Sequence, residues 1–124
     1  MARKLPKSFH CSTEFTLTVL GGKWKTVILC FLQQRPCRYS ELRRLMPAVS
    51  DKVLTERLRD LLAEGLIVQR KSPPGLATSY ALAPRGRSLH KVLHCLYAWG
   101  HEHAAKYHVH VGDPLKGFDR KAPS

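Results

Sequence analysis

A chain of 124 residues is about one domain, with room for one core that folds without metals or disulfides. Its 44% hydrophobic and 24% charged residues match a soluble globule, the longest apolar run (Val27 to Leu32) is too short to span a bilayer, and residues 1–10 lack the apolar stretch of a signal peptide. Membrane and secreted classes are thereby excluded and a cytoplasmic location is expected, while 21 Lys and Arg against 9 Asp and Glu, a formal +12, call for a polyanionic partner.

That charge belongs to the body of the chain. Residues 8–111 hold 15 basic and 7 acidic residues, a net +8, so basic tails are not its source. The expected organisation is a basic arm over residues 1–10, one folded domain over 11–110 and a flexible tail over 111–124.

In chain order, Ser12 or Thr13 caps a first helix running to about Leu20, with Glu14 in its first turn, and Gly21-Gly22 breaks it. A second helix from about Lys23 to Gln34 places Trp24, Val27, Ile28, Phe31 and Leu32 at the three-and-four spacing of a buried stripe, until Pro36 stops it. After a short extended piece at residues 37–39, Ser40 caps a third helix with Leu42, Leu45 and Met46 inward and Arg43 and Arg44 outward. Ser50 caps a fourth helix, "VSDKVLTERLRDLLAEGLI", that Gly65 terminates. Residues 66–71 and 77–82 read as two strands around a proline- and glycine-rich hairpin tip at residues 72–76, and a long helix runs from Pro84 to about Tyr107.

Helices, a turn, a helix with a polar outer face and then a β-hairpin is the element order of a winged helix-turn-helix, mainly α with a small β wing. At roughly 100° per residue, Leu58, Leu61 and Leu62 lie within about 80° of Leu54. The opposite side carries Lys52, Glu56 and Arg59, with Thr55 at the border, and Arg57 falls on the flank as an ion-pair partner of Asp60 or Glu64. Residues 50–64 hold three basic and four acidic side chains, so this helix does not grip phosphate by bulk charge. Readout is expected from its N-terminal end, through Ser50, Lys52, Thr55, Glu56 and Arg59. Phosphate contacts fall to Arg38, Arg43, Arg44, Arg70 and Lys71, with Lys23 and Lys25 as further candidates.

The segments "LGGKWKTVILCFL", "RYSELRRLMPAVSDKVLTERLRDLLAEGLIVQR" and "SYALAPRGRSL", with Cys11 ahead of them, resemble the HxlR-type family of bacterial winged-helix transcriptional regulators, allied to MarR-like proteins. The resemblance covers residues 11–110. It implies a homodimer that binds double-stranded DNA through the helix at residues 50–64 and dimerises through its first and last helices. The apolar stripe of Leu89, Val92, Leu93, Leu96 and Trp99 suits that role, since a two-fold partner supplies a helix to cover it. Two positions depart from the family: Ala83 replaces a capping Thr before Pro84, and Ser79 stands where an acidic residue often precedes the tyrosine.

In several members of that family the cysteine matched by Cys11 senses oxidants or electrophiles, and a small apolar residue at the dimer interface is the plainer account of it. Cys30, Cys37 and Cys95 read as packing residues, Cys95 also as a resolving partner. Among His101, His103, His108 and His110 no pair is four apart, so no metal site is expected, nor any cofactor. No phosphate loop or nucleophile constellation suggests an enzyme. The competing reading is a winged-helix protein-interaction module without sequence-specific DNA binding; a small-molecule or oxidant effector stays open.

Overall fold

The computed structural model describes residues 5–71, 78–116 and 118. Helix α1 (Ser12–Leu20) meets α2 (Lys25–Gln34) at 83°. Strand β1 (Cys37–Arg38), helix α3 (Tyr39–Leu45) and helix α4 (Asp51–Ala63) follow. Strands β2 (Ile67–Arg70) and β3 (Ser79–Leu82) lead into a single turn α5 (Pro84–Arg87), the last long helix α6 (His90–His103) and a 3₁₀ turn at Ala104–Tyr107. Among the described residues, no single helix is long and apolar enough to cross a membrane.

Several helix ends differ from expectation for local reasons. Cys11, extended at φ −157°, is the N-cap of α1, so Ser12 and Thr13 lie inside the helix; Glu14 reaches back to accept from the His10 N–H at 3.0 Å. Helix α2 starts at Lys25 because Trp24 turns left-handed, φ 81°. Helix α3 starts at Tyr39 with Arg38 as its N-cap, two residues earlier than a Ser40 cap allows: the Glu41 carboxylate accepts from the Arg38 N–H at 3.1 Å and fixes the frame. The long C-terminal helix is broken at Ser88 and Leu89, where the N–H of Leu89 bonds the Gly86 carbonyl and the Ser88 hydroxyl takes the Arg85 carbonyl.

Helix α4 forms as its sequence dictates. The Ser50 hydroxyl accepts from the Val53 N–H at 3.1 Å. Gly65 stands at φ +74°, its N–H on the Leu62 carbonyl and that of Leu66 on the Leu61 carbonyl, the paired bonds of a Schellman end. Leu54, Leu58 and Leu61 are buried with Ile28, Leu29, Phe31, Leu32, Leu42 and Leu93, each such side chain contributing about 1.5–3 kcal/mol on transfer from water.

The extended piece before α3 turns out to be a third strand. The sheet order is β1-β3-β2, antiparallel throughout, with Cys37 opposite Tyr80 and Ile67 opposite Leu82. The hairpin tip at residues 72–76 and the start of the second expected strand at Ala77 lie outside the described residues. At the far end of β3, Ala83 caps α5 without a side-chain bond, as its sequence forewarned. Gly86 passes so close to the Leu66 carbonyl that a Cβ there meets its oxygen at 2.1 Å.

The segment expected as a loose tail from residue 111 brings Leu115 and Phe118 onto the core. Phe118 stacks on Phe31 with centroids 5.4 Å apart, and the Arg35 guanidinium sits 4.7 Å over its ring.

Candidate nucleic-acid interface

The outer side of α4 presents Lys52 and Arg59 to solvent. Thr55 and Glu56 are half-buried beside them, Thr55 against Tyr39 and Glu56 with its carboxylate 3.9 Å from Arg57. Arg57 itself turns inward to a 2.7 Å ion pair with Asp60, which is buried, so it is an ion-pair partner as its place on the wheel suggested. Glu64 goes elsewhere, to Lys25.

Lys25 is the clearest departure. Expected as a phosphate contact, it is 1% exposed: its ammonium pairs with Glu64 and donates to the Val19 carbonyl at 2.8 Å. It therefore joins the end of α1, the start of α2 and the end of α4. Lys23, by contrast, is exposed, its ammonium 5.0 Å over the Trp24 ring.

The turn between α3 and α4 is held by a set of groups of which Arg43 and Thr55 carried sequence-based roles and Tyr39 and Asp51 did not. Arg43, expected to face outward for phosphate, lies 2.9 Å from Asp51 and donates to the Val49 carbonyl. The Tyr39 hydroxyl donates to the same Asp51 carboxylate at 2.7 Å and stands 3.4 Å from the Thr55 hydroxyl. Asp51 thus opens the helix where its dipole favours an anion while two groups of α3 hold its carboxylate. Arg44 remains exposed on the outer side of α3.

Behind the turn, Glu41 bonds the Arg35 guanidinium at 2.7 Å. Burial alone pushes the Glu41 carboxyl up, but the bonds from Arg35 and the Arg38 N–H, with the fields of Arg35 and Arg44, outweigh it and hold the group below its ordinary range.

The sheet adds a basic row. Ser79 on the central strand has Arg38 opposite it on one side and Arg70 on the other, so the two arginines share one sheet face about 10 Å apart, two strand spacings. Lys71, exposed, follows Arg70. No acidic side chain interrupts this row, because the central position is Ser79.

On α6 the expected apolar stripe divides. Leu93 is in the chain's own core and Leu89 and Val92 pack against it, whereas Leu96 and Trp99 are about half exposed, as are Tyr97, Val109 and Val111 and, on α1, Phe15 and Leu17. Trp99 stacks on His103 at 4.4 Å and Tyr97 on His101 at 5.8 Å. A histidine pair four apart does exist upstream, His90 and His94, lining a cleft of about 370 Å³ with Cys30 and Asp113. Among the described residues no group of three such side chains is placed to hold a metal.

The thiols separate by burial. Cys37 is fully buried, and desolvation pushes it up to about 11 against the opposing field of Arg35; burial also raises Cys30. Cys11 and Cys95 are exposed.

A family model described as HxlR-like helix-turn-helix matches residues 19–108. The chain is 48% identical over 100 residues to the HTH-type transcriptional regulator YtcD of Bacillus subtilis, covering 78% of each chain. Its fold superposes on a crystal structure of that regulator with a TM-score of 0.69 and 44% identity, covering 77% of this chain and 98% of the other. It also superposes on the redox regulator HypR in its oxidized form, with a TM-score of 0.68, 32% identity and coverage of 74% and 96%. The reduced form of the transcriptional regulator YodB from B. subtilis gives a TM-score of 0.67 at 28% identity, with coverage of 74% and 92%.

Proposed function

The chain belongs to the HxlR-like helix-turn-helix family of transcriptional regulators, and we propose that it acts as a homodimer reading an inverted-repeat operator in the major groove of double-stranded DNA. The observation that carries this reading is that the structure offers both Lys52 and Arg59, exposed on α4, and the Arg38–Ser79–Arg70 row across the sheet. One surface offers side chains for base edges, the other cations for phosphate.

In this reading α4 enters the groove by its N-terminal end and polar outer side, with Ser50, Lys52, Thr55, Glu56 and Arg59. The Ser50 oxygen is spent on its own helix cap, which leaves its proton for a phosphate oxygen. Arg38, Arg44, Arg70 and Lys71 supply the phosphate contacts, and Arg43 supports them by holding the turn. The half-exposed Leu96 and Trp99, continuous with Leu89 and Val92, meet a second copy, placing two recognition helices about 34 Å apart. Cys11, exposed at the N-cap of α1, is the group through which an oxidant or electrophile acts on DNA affinity.

A gel shift on the protein's own upstream region, with wild type, Lys52→Ala and Arg59→Ala, tests the reading. Loss of about 1–3 kcal/mol confined to the cognate site marks base readers, and wild-type affinity should fall with a log–log salt slope of about −0.9 per phosphate. Binding indifferent to salt and to both substitutions points instead to a protein-interaction module. Sedimentation as a monomer at micromolar concentration removes the dimer, and equal affinity before and after diamide in wild type and Cys11→Ser removes the sensor.

A further inference from the structure

Thr55 carries a hydroxyl able both to donate and to accept, which by itself makes it an indiscriminate reader of base edges. Its surroundings remove that ambiguity. The Asp51 carboxylate only accepts, and it takes the single proton of the Tyr39 hydroxyl at 2.7 Å. The Tyr39 oxygen, 3.4 Å from the Thr55 oxygen, is then left only to accept, so the bond between the two hydroxyls runs from Thr55 to Tyr39. The polarity is set from the short end of the chain, where the Asp51 carboxylate also takes a 2.9 Å contact from Arg43.

We infer that Tyr39 is a specificity-determining positioning residue: by committing the Thr55 proton inward, it leaves Thr55 a pure acceptor toward the major groove. Thr55 then reads a base that offers an exocyclic amino group, adenine or cytosine, and rejects guanine or thymine, whose facing edges offer O6 or O4 acceptors. The inference rests on α4 being the recognition helix. It concerns the direction of a hydrogen bond, which neither residue's identity reveals alone. Tyr39 belongs to α3, outside the recognition helix, and acts through Thr55.

The test uses a duplex selected in vitro from a randomised library by the wild-type protein, together with every single-base-pair variant of that duplex. Binding is measured for wild type, Tyr39→Phe, Thr55→Val and Lys52→Ala, each checked for an unchanged far-ultraviolet spectrum. At the position where Thr55→Val flattens the profile, wild type is expected to prefer A or C over G or T by about tenfold. Tyr39→Phe, which frees the Thr55 proton, should shrink that preference to about twofold while the salt slope stays as in wild type.

An unchanged preference in Tyr39→Phe overturns the inference, as does a wild-type preference for G or T at that position, or a Thr55→Val profile unaltered everywhere. In those cases the Lys52→Ala arm still loses affinity for the selected duplex, and the recognition-helix reading survives. If Lys52→Ala binds like wild type as well, that reading fails and takes the inference with it.

Discussion

The Arg43 guanidinium lies 2.9 Å from the Asp51 carboxylate, and the same side chain donates to the Val49 carbonyl. Arg43 therefore closes the turn between α3 and α4 from both sides of Ser50. The ion pair is largely solvent-exposed at Asp51 and contributes little by itself; the bond to a backbone carbonyl contributes more. Arg43→Ala is expected to cost about 1 kcal/mol in urea denaturation, and Arg44→Ala, on the exposed side, less than about 0.5. Equal effects from the two substitutions deny Arg43 its role in the turn.

Lys25 and Glu64 form the only ion pair among the described residues in which both side chains are less than 10% exposed. Removing one member leaves a buried charge, so Lys25→Ala or Glu64→Ala should each cost about 3–5 kcal/mol. The double variant Lys25→Met with Glu64→Leu should recover much of that loss, because no charge is then stranded. Thermal melting checks it, and additive losses in the double variant contradict the coupling.

Gly86 and Gly65 should respond unequally to alanine. At Gly86 the new methyl collides with the Leu66 carbonyl oxygen, a backbone atom that also accepts from the Ala83 N–H. At Gly65 the cost is the left-handed backbone at φ +74° and a displaceable Arg85 side chain. Gly65→Ala should lose about 1–2 kcal/mol, and Gly86→Ala clearly more, about 3 or above. Reversal of this order in denaturant midpoints means that the α5 turn yields easily.

Glu41 predicts an acid dependence. Its folded-state value lies below the ordinary 4.5, so its contribution to stability is whole above that pH and is lost as pH falls through the lower folded value. Stability of wild type relative to Glu41→Gln should thus be constant from pH 7 to about 5 and shrink below pH 4. A difference that grows on acidification contradicts the assignment.

What the sequence made legible is what depends on near neighbours. The Ser50 cap, the Gly65 end and the inward leucines of α4 follow from residues within a few positions of one another. The element order carried the fold class for the same reason. Pairings across the chain were not legible: Lys25 finds Glu64 39 residues away, and Tyr39 finds Asp51 12 residues away. Cys37 and Arg38 gave two residues of extended chain, with nothing local to announce that Tyr80 and Ser79 lie opposite them. Even a local signal misled at α3, where Ser40 offered a hydroxyl cap and the Glu41 carboxylate instead set the N-cap at Arg38. The row of Arg38 and Arg70 around Ser79 emerges only once the register is fixed.

Strand β1 runs without a connecting loop into α3, from Arg38 to Tyr39, while its other relation is lateral, to β3. The wing base and the helix-turn-helix are consequently joined directly, strand to helix, at Arg38 and Tyr39. From that junction the Tyr39 hydroxyl reaches the Asp51 carboxylate in the first turn of α4. In the proposed reading, this direct junction keeps the groove and backbone contacts at a set spacing, like a gauge. A duplex that does not fit the gauge must itself bend or twist, and sequences that deform cheaply gain an advantage at base pairs the protein never touches.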